Sequence, residues 1–141
     1  MYKIERRFTV PIGHRLSKHS GLCKNIHGHN FTVHVGVKSE KLDDNDMVMD
    51  FSFLKAIVQE EMDKFDHCLV LNESDGALAR DLRMHGICEK VMTIPCDPTA
   101  ERLAERLYHF VAETLEKDFS WVSMDYVTVY ENENSKATFT M

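Results

Sequence analysis

His27-Gly28-His29-Asn30-Phe31-Thr32-Val33-His34-Val35-Gly36-Val37-Lys38 is the stretch on which the fold turns. From Asn30 to Lys38 the residues alternate, with Phe31, Val33, Val35 and Val37 on one side and Thr32, His34, Gly36 and Lys38 on the other. A period of two belongs to a half-buried antiparallel strand. His27 and His29 stand at its entry, and the same period puts both imidazoles on one face, close enough to share an ion. Gly28 between them leaves room for another backbone or a substrate.

Working outward, Tyr2 to Val10 reads as a first strand that ends at Pro11, and residues 12–26 read as a loop or long hairpin connection. Asp50 or Ser52 can cap a helix to about Phe65, because Leu54, Ile57, Val58, Met62 and Phe65 follow helical spacing. Asp66 to Cys96 looks irregular, with one short helix around Ala77 to Met84; a connection of this length is usually functional or mobile. Asp97-Pro98-Thr99 opens a second long helix with Pro at its first position, and Leu103, Leu107, Phe110, Val111 and Leu115 form its buried stripe. Val122 to Tyr130 is a third strand and Ala137 to Phe139 a short fourth. The order ββααββ predicts an α+β fold: a four-stranded antiparallel sheet with two helices on one face, as one domain over residues 1–141.

The chain's 141 residues, 43% hydrophobic, suffice for one core. Its net charge of −6, with scattered cations, argues against a nucleic-acid partner but allows an anionic small molecule. No apolar run is long enough for a membrane span, and Met1 to Arg7 has none of the pattern of a signal peptide. Cys23, Cys68, Cys88 and Cys96 are therefore expected as reduced thiols in the cytoplasm.

Two imidazoles leave a tetrahedral ion short of ligands, and a third would complete the open arrangement of catalytic zinc sites. His14, just past the first strand and able to sit beside the second, is the best candidate, although spacing alone does not separate it from His19; His19, His34, His85 and His109 read as solvated or structural. Cys23, four residues before His27, reads equally as a thiolate base, a metal ligand or an inert thiol. Asp66-His67 is able to orient a thiol and carry its proton, or simply to end the helix before it. Glu131, at a strand end, is placed to accept paired N–H donors or to sit in water.

Taken together, Phe8, His14-Arg15-Leu16, Cys23-x-x-x-His27-Gly28-His29-Asn30-Phe31, Met47-Val48-Met49-Asp50-Phe51, Asp66-His67, Leu71-Asn72, Pro98-Thr99-Ala100-Glu101 and Glu131 resemble the 6-pyruvoyl-tetrahydropterin synthase and 6-carboxytetrahydropterin synthase family, in its order and over nearly the whole chain. The resemblance implies His14, His27 and His29 as ligands of Zn2+, Cys23 as catalytic base, and Asp66 and His67 as the rest of its triad. It implies Glu131 as the anchor of a pterin ring, with Thr99 and Glu101 near that ring. It also implies the tunnelling fold, in which copies form an oligomeric barrel, commonly a hexamer of two trimers, with active sites between subunits.

The activity so implied is a zinc-dependent lyase converting 7,8-dihydroneopterin triphosphate to 6-carboxy-5,6,7,8-tetrahydropterin, with release of acetaldehyde and triphosphate, as in queuosine precursor synthesis. The alternatives are a 6-pyruvoyltetrahydropterin synthase that only eliminates triphosphate, a relative that cleaves dihydroneopterin by retro-aldol chemistry, and a non-catalytic zinc-stabilised assembly module. Arg15, Lys18 and Lys24 are candidate phosphate contacts by charge and proximity. The chain departs from the family pattern at Ile12-Gly13, where small residues are commoner, in a long Asp75 to Cys96 segment, and in a loosely similar C-terminus. Cys23 itself speaks against relatives that carry a glutamate as base and serve folate synthesis.

Overall fold

A computed structural model describes residues 1–141. The alternating stretch forms β2 (His27–Ser39), which pairs antiparallel with β1 (Tyr2–His14) from Tyr2↔Ser39 through to His14↔His27. β1 therefore does not end at Pro11 but runs on to His14. A residue's N–H and C=O leave a strand on the same side. The Pro11 carbonyl accepts from His67 N (3.0 Å), so its ring nitrogen faces away from β2 and the β1–β2 ladder loses no donor.

The remaining elements are α1 (Phe51–Phe65), β3 (Cys68–Asn72), α2 (Gly76–Met84), β4 (Val91–Ile94), α3 (Ala100–Asp118), β5 (Ser123–Asn132) and β6 (Ser135–Phe139). The sheet is six-stranded and mixed, ordered β4-β3-β1-β2-β5-β6, with β3 parallel to both β1 and β4 and the other pairs antiparallel. The α+β class stands, but the expected four-stranded antiparallel sheet does not. The apparently irregular stretch from Asp66 to Cys96 holds two strands and a helix. β3 is buried at every position, so it carries no alternation to betray it.

Period two divides β3 between two layers. Cys68 and Val70 join the main core, whereas Leu69 and Leu71 pack with Ala79 and Val91 beneath α2. The main core lies between the sheet and the α1–α3 layer, with Phe31, Val35, Val37, Leu54, Val58, Val111 and Val127 fully buried. Two helices thus share one face as expected, and the third covers the opposite face at β3 and β4. Asp50 caps α1 by accepting from Ser52 N. α3 starts later than the sequence suggests: Thr99 is its cap, accepting from Arg102 N, and Pro98 precedes it. No helix is long and apolar enough to cross a membrane. All four cysteines are free thiols.

On the sheet's open face Gly36 is the cross-strand partner of Tyr126, whose phenol reaches Glu5. A Cβ at Gly36 would stand 2.5 Å from the Tyr126 ring, so the ring occupies the place of the missing side chain. Burial, then the hydrogen bond to Glu5, pushes the Tyr126 phenol up to about 12 from 10.0. A raised phenol contributes stability that is complete below pH 10.0 and lost as pH climbs towards about 12. Gly36→Val should dislodge the ring, cost on the order of 1–3 kcal/mol in urea unfolding, and return this tyrosine's ultraviolet titration towards the ordinary value. A variant with unchanged titration would show that the ring is not seated on the glycine.

Candidate functional site

The alternation that buries Phe31 continues backward to His29 and His27 on the same face, and the β1–β2 register places His14 opposite His27. Three imidazoles therefore end the core where apolar residues stop. Their nitrogens fall within 4.8 Å of one another, with ring centroids 4.5 Å (His14–His27), 5.1 Å (His14–His29) and 5.2 Å (His27–His29) apart. Phe31 floors the group edge-on to His14 and His29. A Cβ on Gly28 would meet the Ile12 carbonyl at 3.0 Å, so the close hairpin that assembles the rings requires glycine there. His19 takes no part; it is exposed and accepts from Gly21 N.

The proton positions follow from the partners. Pro98 O lies 2.8 Å from His14 Nδ1 and Asn25 O lies 2.6 Å from His27 Nδ1. A carbonyl only accepts, so both Nδ1 atoms donate and both neutral rings carry their lone pair on Nε2. The Nε2 atoms of His14, His27 and His29 are all buried without a hydrogen-bond partner. Orphaned buried polar atoms are costly, and three converging imidazole Nε2 atoms, two of them fixed as lone-pair donors, fit a divalent metal of the zinc type. Burial, the largest cause, holds His14 below the usual histidine range; the Pro98 carbonyl opposes it, and the other two rings reinforce it. His14 is thus kept in the unprotonated form a ligand needs. Glu131, at the end of β5, brings Oε2 to 3.9 Å from His29 Nε2.

Asp66 and His67 follow α1. Their side chains meet at 2.6 Å (Oδ1–Nδ1), and His67 has a left-handed backbone (φ 54) with its side chain 83% exposed. His67 shares a cleft of ≈ 620 Å³ with His27, Gly28 and His29 and with the apolar residues Leu82 and Ile87. Cys23 is not among the residues that line this cleft; it sits half-buried in a short 3-10 turn, Leu22–Lys24. Thr99 is engaged as the α3 cap next to Pro98, and Glu101 lies exposed in the first turn of α3, where a carboxylate suits the helix dipole. Of the three candidate phosphate contacts, Arg15 is held by Asp75 at 2.5 Å, while Lys18 and Lys24 form no ion pair.

Sequence reasoning missed Asp97. Its Oδ1 accepts from Ser17 Oγ (2.6 Å) and Asn72 Nδ2 (3.0 Å), and its Oδ2 from Lys18 N (2.9 Å). It therefore ties the loop carrying Cys23 to the end of β3, while the next residue orients His14. The Asp-Pro-Thr run was the available signal, but it reads more simply as a helix cap.

This constellation on an α+β scaffold is that of a tetrahydropterin-synthase fold. Residues 3–141 match the family described as 6-pyruvoyl tetrahydropterin synthase, and the chain belongs to that family. A 6-carboxy-5,6,7,8-tetrahydropterin synthase of Rickettsia bellii is 32% identical over 108 residues, covering 76% of this chain and 78% of the relative. The counterpart of that name in Aquifex aeolicus is 27% identical over 157 residues, covering 98% and 97%. Among solved structures, an uncharacterized protein from Wolinella succinogenes superposes with TM-score 0.84 at 19% identity, covering 99% of this chain and 97% of that one. The 6-pyruvoyl tetrahydropterin synthase of Caenorhabditis elegans superposes with TM-score 0.70 at 22% identity, covering 99% and 95%. At these identities the two structures speak for the fold alone.

Burial alone would raise the Asp97 carboxyl, but its donors from Ser17, Lys18 and Asn72 outweigh that and bring it from 3.8 to about 2. A depressed carboxyl contributes stability above its unfolded value of 3.8 that is lost as pH falls towards about 2. Asp97→Ala should cost about 1–3 kcal/mol, since it leaves three donors without their acceptor. It should also flatten the acid limb of a stability–pH curve over that window; an unaltered limb would refute the assignment.

Proposed function

We propose that this chain is a zinc-dependent lyase acting on 7,8-dihydroneopterin triphosphate and one water, which are converted to 6-carboxy-5,6,7,8-tetrahydropterin, acetaldehyde and triphosphate as triphosphate is eliminated and water adds to the side chain before its carbon–carbon bond breaks. The observation that carries the reading is the set of three buried, unpartnered Nε2 atoms on His14, His27 and His29, in a chain of this family. The 6-carboxy product is favoured because relatives matched along up to 98% of this chain bear that name.

His14, His27 and His29 would hold the ion, with the Pro98 and Asn25 carbonyls fixing the tautomers of His14 and His27. When bound, zinc supplies Lewis-acid stabilisation of oxyanions that develop on the substrate side chain. Cys23, as thiolate, removes a proton from that side chain, and His67, oriented by Asp66, carries it onward. Glu131 accepts N–H donors from the edge of the pterin ring, with Thr99 and Glu101 near it. Lys18 and Lys24 are free to meet the triphosphate; Arg15 would first have to leave Asp75.

The reading includes assembly of copies into a barrel, as a hexamer of two trimers. Within one chain His67 is 83% exposed, and Cys23 lies off the cleft that His67 lines. Both facts suit a site completed by a neighbouring copy, and the setting is cytoplasmic.

Incubating the purified protein with 7,8-dihydroneopterin triphosphate should yield acetaldehyde, triphosphate and a 6-carboxy product by mass. A product that keeps its three-carbon side chain would instead make this a 6-pyruvoyl synthase. Cys23→Ala should retain zinc and lose roughly 10²-fold or more in kcat, whereas His14→Ala should lose the metal. Full turnover by Cys23→Ala would remove Cys23 as the base. A zinc-loaded wild type that consumes no dihydropterin would favour an assembly module.

A further inference from the structure

The stretch from Glu73 to Cys96 has no task in the mechanism above, yet it reaches the Asp66–His67 pair through a single side chain. Lys90, just before β4, sends its Nζ to the C-terminal end of α1, donating to Asp63 O at 2.8 Å and Asp66 O at 2.5 Å. A cation on the last carbonyls of a helix is an ordinary cap. The second of these contacts does something more specific.

Asp66 C=O and His67 N–H belong to one peptide unit. Lys90 holds its oxygen, and Pro11 O accepts from its nitrogen at 3.0 Å. A planar unit gripped at both ends leaves little freedom in the torsions on either side. One of these is the His67 φ of 54, a left-handed value that a residue with a Cβ seldom adopts unless its surroundings impose it. The Lys90 backbone reaches the other side of the same turn, its carbonyl accepting from Leu69 N at 3.0 Å. His67 is thus flanked by two contacts to one residue.

The side chains of the pair have little else to hold them. Asp66 is 46% and His67 83% exposed, and their mutual contact of 2.6 Å is a bond between neighbours in sequence. Within one chain, burial does not orient the imidazole; the backbone beneath it does. We propose that Lys90 is a positioning residue, which pins the Asp66–His67 peptide against Pro11 and so aims the His67 ring. The inference rests on the role given to Asp66 and His67 under the proposed function, and one arm of its test stands apart from that role.

The test compares full-length wild type with Lys90→Met, which keeps the stem but has no donor, and Lys90→Arg, which restores donors. Lys90 is exposed and contributes nothing to either apolar cluster, so the variants should fold. In Lys90→Met the His67 amide should exchange with deuterium about tenfold faster as its local opening becomes easier. In the same variant kcat should fall about tenfold or more through misorientation, with KM and zinc content unchanged, and Lys90→Arg should recover both readouts.

Wild-type exchange and kcat in Lys90→Met would overturn the proposal, as would a kcat loss that arginine does not restore or that tracks loss of zinc. A wild type without turnover would sink the lyase reading instead, and the exchange comparison alone would then decide for or against Lys90.

Discussion

The register between β1 and β2 is the constraint on which the rest of the molecule depends. Thirteen residues of each strand pair without a slip, and because side chains alternate, that pairing sends Val10, Ile12, Phe31, Val33 and the three imidazoles to one face. A shift by one residue would set His14 against Gly28 and turn every core side chain of one strand towards solvent. The apolar core therefore enforces the geometry of the candidate metal site. The imidazoles cannot drift apart unless Phe31, fully buried beneath them, moves as well.

This explains how far the site could be read in advance. His27 and His29 share a face by periodicity alone, and that was legible. The choice between His14 and His19 was not, because it depends on how far β1 extends beyond Pro11, which is decided by a partner strand and not by local propensity. The lone pair of His14 was illegible too: it depends on Pro98 O, 84 positions away in sequence. Similarity of several short motifs to one family supplied what spacing lacked.

The fold was read well where one face is wet and poorly where neither is. β2, α1 and α3 carry a dry side and a wet side, so their periods appear in the sequence. β3 is buried throughout and β4 is only four residues long, so Cys68-Leu69-Val70-Leu71-Asn72 looks like any short apolar run. Its parallel pairing on both sides rests on long-range contacts, whereas α2 was legible as the short helix expected around Ala77 to Met84. The late start of α3 has a related cause. Asp97, in the expected capping position, is drawn instead to Ser17, Lys18 and Asn72, and Thr99 caps in its place.

The proposed substrate is a polyanion, and an acidic chain would need a local answer to its own field to take it. With a net charge of −6, long-range attraction does not bring a triphosphate in. Several cations are already committed: Lys3 and Lys38 to Asp125, Lys64 and Arg106 to Glu61, Arg15 to Asp75. Lys18 and Lys24 are among the cations that form no ion pair, as are Arg7, Lys41, Lys55 and Lys117, and both lie on the loop that carries Cys23. Asp97 fastens that loop through the Lys18 backbone N–H and the Ser17 hydroxyl, leaving the Lys18 ammonium free. What sets Lys18 and Lys24 apart from the other unpaired cations is their place on the Cys23 loop, where they would supply local positive charge for the anionic leaving group of the proposed reaction. Selectivity for a charged substrate would then come from where unpaired cations stand along the chain, and the overall charge is a poor guide to it.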